Sequence, residues 1–248
     1  MAKLTLSVRI YIGLIITLAV LAAIIVFLPA FQGLVPQQEL TASKPVLALA
    51  NAAIMLFLYG GLGYLGYILS RKVGFADIWD EGVTNRQRFV IPALIGLGLG
   101  IFLIVADTVF SRFHDLGPLP HPPFPTSIVA SATAGIGEEV IFRLFFISFW
   151  IWLVSRVILK GRGLEPVFWI VAVFSALAFA FMHLPAVMAL YEFGSISDVP
   201  IVLLSEMILL NGVLSLFAAY YFRKYGFLAP VGIHFWTDVV WHVVWGVA

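Results

Sequence analysis

Seven long apolar stretches run along the 248-residue chain, and they dictate what it can become. They cover roughly residues 10–28, 45–69, 89–110, 127–154, 166–184, 200–222 and 227–247. A bilayer core about 30 Å thick is crossed by about 20 apolar residues in helical form. In lipid the helix satisfies every backbone polar group within its own segment. A soluble fold is excluded because only 11% of residues are charged and 62% are hydrophobic, against roughly 25% charged in an average soluble domain. The expected fold class is all-α, a polytopic transmembrane helix bundle of about seven spans, forming one integral-membrane domain over 1–248. Membrane lipids are its surroundings and the cell membrane its expected location. The first stretch follows Lys3 and Arg9, as a signal peptide would. It is too long for a signal core and no small-x-small cleavage site follows, so it is expected to stay as the first span.

The basic residues orient the bundle. Lys3, Arg9, Arg71, Lys72, Arg86, Arg88, Arg156, Lys160, Arg162, Arg223 and Lys224 all fall on one side, whereas only Lys44 and Arg112 fall on the other. The positive-inside rule then places the N-terminus in the cytoplasm and the C-terminus outside. Two outer loops stand apart. Residues 111–126 are too rich in proline for regular helix. Residues 186–200 are semi-polar and suit a short interfacial or re-entrant piece. Trp236, Trp241 and Trp245 serve equally well as interfacial anchors or as packing residues. Asn51, Ser205, Glu206 and Asn211 read as hydrogen bonders between helices. Asp107 and His114 fall near an interface and are expected to be solvated. Several function classes drop out. There is no basic arm for nucleic acid, the net charge being +1. There is no cysteine for a disulfide, a thiol nucleophile or a thiolate metal site.

The fourteenth basic residue, Arg143, sits within the fourth span beside Glu138 and Glu139. Each charge in hydrocarbon costs about 2.5–3.5 kcal/mol on insertion scales. Glu139 and Arg143 are four apart in the order that favours a helical ion pair. Glu138 faces about 100° away and is left without a local partner. The fifth span ends in Phe179-x-x-x-His183, and the seventh carries His234-x-x-x-Asp238, with His242 one turn further on the same face. Such groups avoid lipid, and convergence on one polar cavity is the economical arrangement. At 1.5 Å per residue, Glu138 and His234 meet near the midplane, while His183 falls closer to the outer face unless tilt or continuation past Pro185 lowers it. Gly135 and Gly137 mark a bend or a close backbone approach just before the glutamates.

A carboxylate with a histidine can deprotonate water, and a second histidine with a polar partner can steady the oxyanion formed when water attacks an amide. Competing protease chemistries lack their parts: no H-E-x-x-H zinc motif, no G-x-S-x-G elbow and no cysteine is present. A three-ligand zinc site from Glu138, His183 and His234 remains an alternative. So does a packing network of Glu138, Glu139 and Arg143 that pins helix contacts.

These residues carry a resemblance. Glu138-Glu139-x-x-x-Arg143, Phe179-x-x-x-His183 and His234-x-x-x-Asp238 look like the three motifs of the CAAX-protease and bacteriocin-processing (CPBP, or Abi) family of intramembrane glutamate endopeptidases. That family includes the Ras-converting-enzyme-type CAAX prenyl proteases. The resemblance covers about residues 127–247, leaving 1–126 as N-terminal spans alike only in hydrophobicity. It implies a metal- and cofactor-free protease acting on a peptide or lipidated-peptide substrate, including prenylated C-a-a-X tails. It implies Glu138 as the base that activates water, assisted by His183, with His234 and Asp238 forming the oxyanion hole. Glu139, Arg143 and Phe179 would hold the site's shape. Asp238 stands where the prenyl-protease branch usually has asparagine. An ionised aspartate cannot donate, so it would be protonated, orient His234, or do something else. Two rivals from other classes remain: a non-catalytic scaffold or bacteriocin-immunity protein, and a small transporter using Glu138 and the histidines as a proton relay.

Overall fold

The computed structural model describes residues 4–29 and 42–247. Among these residues there is no strand, and seven helices form the bundle. Six are long and apolar enough to cross a membrane: α1 (Leu6–Phe27), α2 (Lys44–Val73), α3 (Arg86–Phe110), α4 (Thr126–Ile158), α5 (Leu164–Leu190) and α6 (Ile201–Tyr225). The seventh, α7, runs through 228–247. It matches the expected last stretch but is less apolar, because His234, Thr237, Asp238 and His242 all lie on it. The chain is a multi-pass membrane protein.

Local chemistry sets the helix ends. The Thr5 side chain accepts from the Val8 backbone N–H and caps α1. Gly74 ends α2 with φ 86°, a left-handed conformation that glycine adopts without a Cβ clash. The proline-rich segment 111–125 has no regular helix, as its composition requires. In α5 the regular helix stops at Met182, turns at His183, and resumes over Leu184–Leu190 with Pro185 in its first turn. Proline is tolerated there because the first-turn N–H groups lack helical partners anyway. The expected short interfacial piece is thus partly this helical turn, followed by a 3₁₀ turn over Ile196–Asp198.

The polar helix α7 occupies the middle of the bundle, against α3, α4 and α6. Small residues let it come close. A Cβ on Gly96 or Gly100 of α3 would press on the Ile233 or Thr237 carbonyl, and one on Gly135 of α4 would meet the Phe235 backbone nitrogen at 3.2 Å. Gly135 therefore serves the close approach, one of the two roles open to it. The outward faces stay apolar: Phe57, Leu94, Phe174 and Ile201 are among the exposed large side chains. In water these would be a liability, and in lipid they are the solvent-facing surface.

Two sequence expectations need correction, and one open alternative closes. Asp107 is fully buried and the His114 side chain is 3% exposed, so neither is solvated. The loop folds back, and Leu119 N–H donates to Asp107 Oδ1 at 2.9 Å while His114 Nε2 meets Glu206 Oε2 at 3.2 Å. Ser205 and Asn211 bond back to carbonyls of their own helix, Ile201 and Met207, although Asn51 does reach across to Ala22 on α1. Trp241 is buried and packs edge-on against His121 at 4.7 Å, so it is a packing residue.

Candidate active site

The fourth helix sets the site. Adjacent glutamates on a helix point about 100° apart, and here the two reach different surroundings. The Glu139 side chain is 0% exposed, whereas that of Glu138 is 25% exposed and lines a cavity of about 300 Å³. His183 from the break in α5, and His234 and Asp238 from α7, line the same cavity. The four residues singled out from three separate helices are thus brought to one wall. His183 stands at the break within α5, and its side chain lines the same cavity as the other three.

Behind that wall is a dry ion-pair network. Arg143 Nε lies 3.1 Å from Glu139 Oε2, with both side chains at 0% exposure. The other carboxylate oxygen, Oε1, is 2.8 Å from His234 Nδ1. Glu139 therefore joins the guanidinium to the imidazole, and the expected Glu139–Arg143 pair is present. Burying two such charges costs several kcal/mol per ion unless each is compensated. Here the two charges face each other and the Arg143 guanidinium lies 4.7 Å from the Phe179 ring centroid, although its three nitrogens have no hydrogen-bond partner among the described residues.

Phe179 is fully buried at the centre of this arrangement. Its ring is 5.1 Å from His183, 5.7 Å from His234 and 5.2 Å from Phe142, the last edge-on. It spaces the two imidazoles and covers the guanidinium, which makes it a wall rather than a reacting group. One turn of helix connects it to His183, whose Nδ1 lies 2.8 Å from the Phe179 carbonyl oxygen. A carbonyl only accepts, so Nδ1 carries the hydrogen. In the neutral ring the lone pair is then on Nε2. On His234 the second nitrogen, Nε2, faces two carboxylates, Asp238 Oδ2 at 3.5 Å and Glu138 Oε2 at 3.8 Å.

Sequence reading missed the lid and its anchors. Leu119, Pro120 and Pro122 of the proline-rich segment, the lid, line the cavity. His121 Nδ1 meets His242 Nδ1 at 3.1 Å, so one ring donates and the other accepts. The only signals were the abundance of proline and the position of His242 one turn past Asp238. Wide, π-helical turns follow both the glutamates (Val140–Ile147) and Asp238 (Val239–Val244). Such turns are frequent at functional sites, but they also occur here at Met55–Tyr59 and Trp152–Ile158, which do not line the cavity, so they do not mark it. Among the described residues no three His, Asp or Glu side chains are grouped closely enough to hold a metal ion. Glu138, His183 and His234 share a cavity without forming a ligand set.

Comparison with known proteins agrees with the geometry. The model of one family, type II CAAX prenyl endopeptidase Rce1-like, matches residues 120–240. No curated protein and no solved structure matches the chain. The matched stretch begins at the lid, runs through α4, α5 and α6, and ends two residues past Asp238 on α7. Over that stretch, which contains Glu138, His183, His234 and Asp238, the chain is similar to the type II CAAX prenyl endopeptidase Rce1-like family, a family of proteases.

Proposed function

We propose that the chain is a metal-free intramembrane endopeptidase in which Glu138 activates water for attack on a peptide bond. The observation that carries this reading is the contrast between the two glutamates. Glu139 is enclosed between Arg143 and His234, whereas Glu138 is the one of the two that reaches the cavity, beside His183, His234 and Asp238 among its polar lining. A general base has to meet its proton directly or through one water.

In the proposed step, water is held between the Glu138 carboxylate and Nε2 of His183. Glu138 takes a proton as the water oxygen bonds to the carbonyl carbon, and the carbonyl π electrons move to oxygen. His234 stabilises that oxyanion. With Nδ1–H committed to Glu139, a proton on Nε2 makes the ring an imidazolium, and Glu138, Glu139 and Asp238 supply its counter-charge. When the C–N bond breaks, the proton on Glu138 passes to the leaving amine. Hydrogen bonds aimed at developing charge in a dry site contribute strongly to such reactions. Asp238, with Oδ2 3.5 Å from Nε2, is a positioning residue in this reading: its carboxylate faces Nε2 as a counter-charge and leaves the N–H to the oxyanion. Glu139 and Arg143 hold the ring from the other side.

Prenylated C-a-a-X tails are one candidate substrate. The cytoplasmic placement of the N-terminus and the cell-membrane location belong to the same proposal and rest on the basic loops. The test is hydrolysis of a peptide panel, including prenylated peptides, by the purified full chain with and without chelator. Cleavage that survives chelator and disappears in Glu138→Gln supports the reading. Cleavage that chelator abolishes replaces it with metal chemistry. Normal turnover in Glu138→Gln removes Glu138 as the base. A folded, monodisperse chain that never cuts a peptide leaves the polar wall to a scaffold role.

A further inference from the structure

Glu138, His183, His234 and Asp238 take part in the proposed step, and His242 is bonded to the lid. One further polar side chain of the cavity lining has no such use: Asn211 of α6. Its neighbours in the lining from the same helix, Leu203, Met207, Leu210 and Leu214, are all apolar. Leu214 packs in one cluster with Phe142, Phe179 and Ile233, and Leu210 in another with Leu103 and Trp241. Asn211 lies between those two levels, so it stands at the depth of the α7 stretch that carries His234 and Asp238.

The way the amide is held is the second observation. Nδ2 donates to the Met207 carbonyl oxygen, one turn back, at 2.9 Å. A carbonyl only accepts, so the end of the amide bonded to it is the nitrogen. That bond fixes the plane of the group and turns Oδ1 the other way. Oδ1 takes no hydrogen bond among the described residues, and it is not sealed off from the cavity. A back bond of this kind needs only a hydroxyl, for Ser205 makes one to Ile201 on the same helix outside the cavity. The asparagine keeps a carbonyl oxygen and a second N–H beyond what the helix uses.

A polar group without a partner in an apolar wall costs free energy. An extended peptide supplies what is missing, because it turns N–H and C=O groups to both of its edges. Inside a membrane such groups lack bulk water to bond. His234 answers one carbonyl in the proposed step, and Asn211 is the one acceptor that α6 offers to an N–H from its side of the cavity. Resting on the endopeptidase reading above, we infer that Asn211 is a substrate-binding residue: Oδ1 accepts the main-chain N–H of a substrate residue flanking the scissile bond, and holds the chain from the α6 side while Glu138 and His234 act on the carbonyl. The contact is to backbone, so it sets the register of the chain without choosing its side chains.

The experiment uses the purified full chain, an apolar peptide that it cuts, and a set of analogues of that peptide. In each analogue one main-chain N–H flanking the cleaved bond is replaced by an ester oxygen, which removes a donor and keeps the shape. The cleaved bond itself stays an amide. Wild type, Asn211→Leu and Asn211→Ala are compared by the ratio of kcat/KM for the parent peptide to that for each ester. A general loss of activity or stability in a variant cancels in that ratio. At one position the ester is expected to cost the wild type about tenfold, the upper range for one neutral hydrogen bond, and to cost both variants less than about twofold. Esters that cost the wild type nothing at any position overturn the inference, and so does a penalty that survives unchanged in both variants. Either result leaves the protease reading intact, whereas a wild-type chain that cuts no peptide of an apolar panel overturns both.

Discussion

Two clusters of buried ionisable groups lie in this bundle, and they differ in one respect. The first is Glu138, Glu139, Arg143, His234 and Asp238 with His183 nearby. The second is Asp107 on α3, Glu206 on α6 and His114 in the lid. Both carry carboxylates at 0% exposure, Glu139 in one and Asp107 and Glu206 in the other. Only the first opens onto the cavity. In the second, Asp107 receives a lid backbone N–H and Glu206 receives a lid imidazole, so the carboxylates moor a loop. Burial and charge therefore do not by themselves locate chemistry in a membrane protein. A group on which water and substrate can converge does, and Glu138 is such a group.

The comparison can be broken most directly at Glu138. Glu138→Gln keeps size and polarity but cannot take a proton, so turnover should fall by about 10²–10⁴-fold, the range a general base supplies, with unchanged monodispersity in detergent. An equal loss from Glu206→Gln would erase the distinction between the clusters. Arg143→Met comes next. It strands the Glu139 carboxylate in a dry site, and breaking a buried pair this way costs about 3–5 kcal/mol, readable as a lowered midpoint of thermal or denaturant unfolding. His114→Ala leaves Glu206 without its lid partner and should cost about 1–3 kcal/mol. Turnover should change far less than in Glu138→Gln, and added protease should clip the lid more readily.

The smallest expected effect concerns the lid's other anchor. Burial pushes the His121 imidazole below its ordinary value, with Asp107 opposing in part. The seated lid therefore favours a neutral ring, and an unseated lid takes up the proton more readily. The stabilisation is present above the ordinary imidazole value of about 6.5 and is lost as pH falls below it. Lid proteolysis in the wild type should thus rise on acidification through that window, and His121→Phe should flatten the rise. A pH profile identical in both would remove His121 as the source.

Much of this was legible in the residues. Apolar run length announced the helices, because a hydrocarbon core demands an unbroken apolar segment to cross it. Glu138, His183, His234 and Asp238 stood out because charge inside such runs is costly and asks for a reason. The pairing of Glu139 with Arg143 followed from four-residue spacing alone. The reading failed where a loop was involved. Asp107 and His114 looked solvated because they border the proline-rich segment, and nothing local says that this segment folds inward. Glu206 read as a bonder between helices for the same reason: its partner, His114, lies in that segment, 92 residues away in sequence. Ser205 and Asn211 looked like interhelical bonders, but their own helix offered a carbonyl one turn back.

The order of the chain thus determined the membrane setting, the helical class and the short list of reactive groups, since each depends on composition within about one helix length. Tertiary structure alone decided which glutamate is reachable. The two are neighbours on one helix with identical chemistry, and their environments diverge because Glu139 turns into the packing of Arg143 and His234 while Glu138 turns to the cavity. It also decided that the lid lines that cavity, for this depends on contacts between segments that local spacing does not encode.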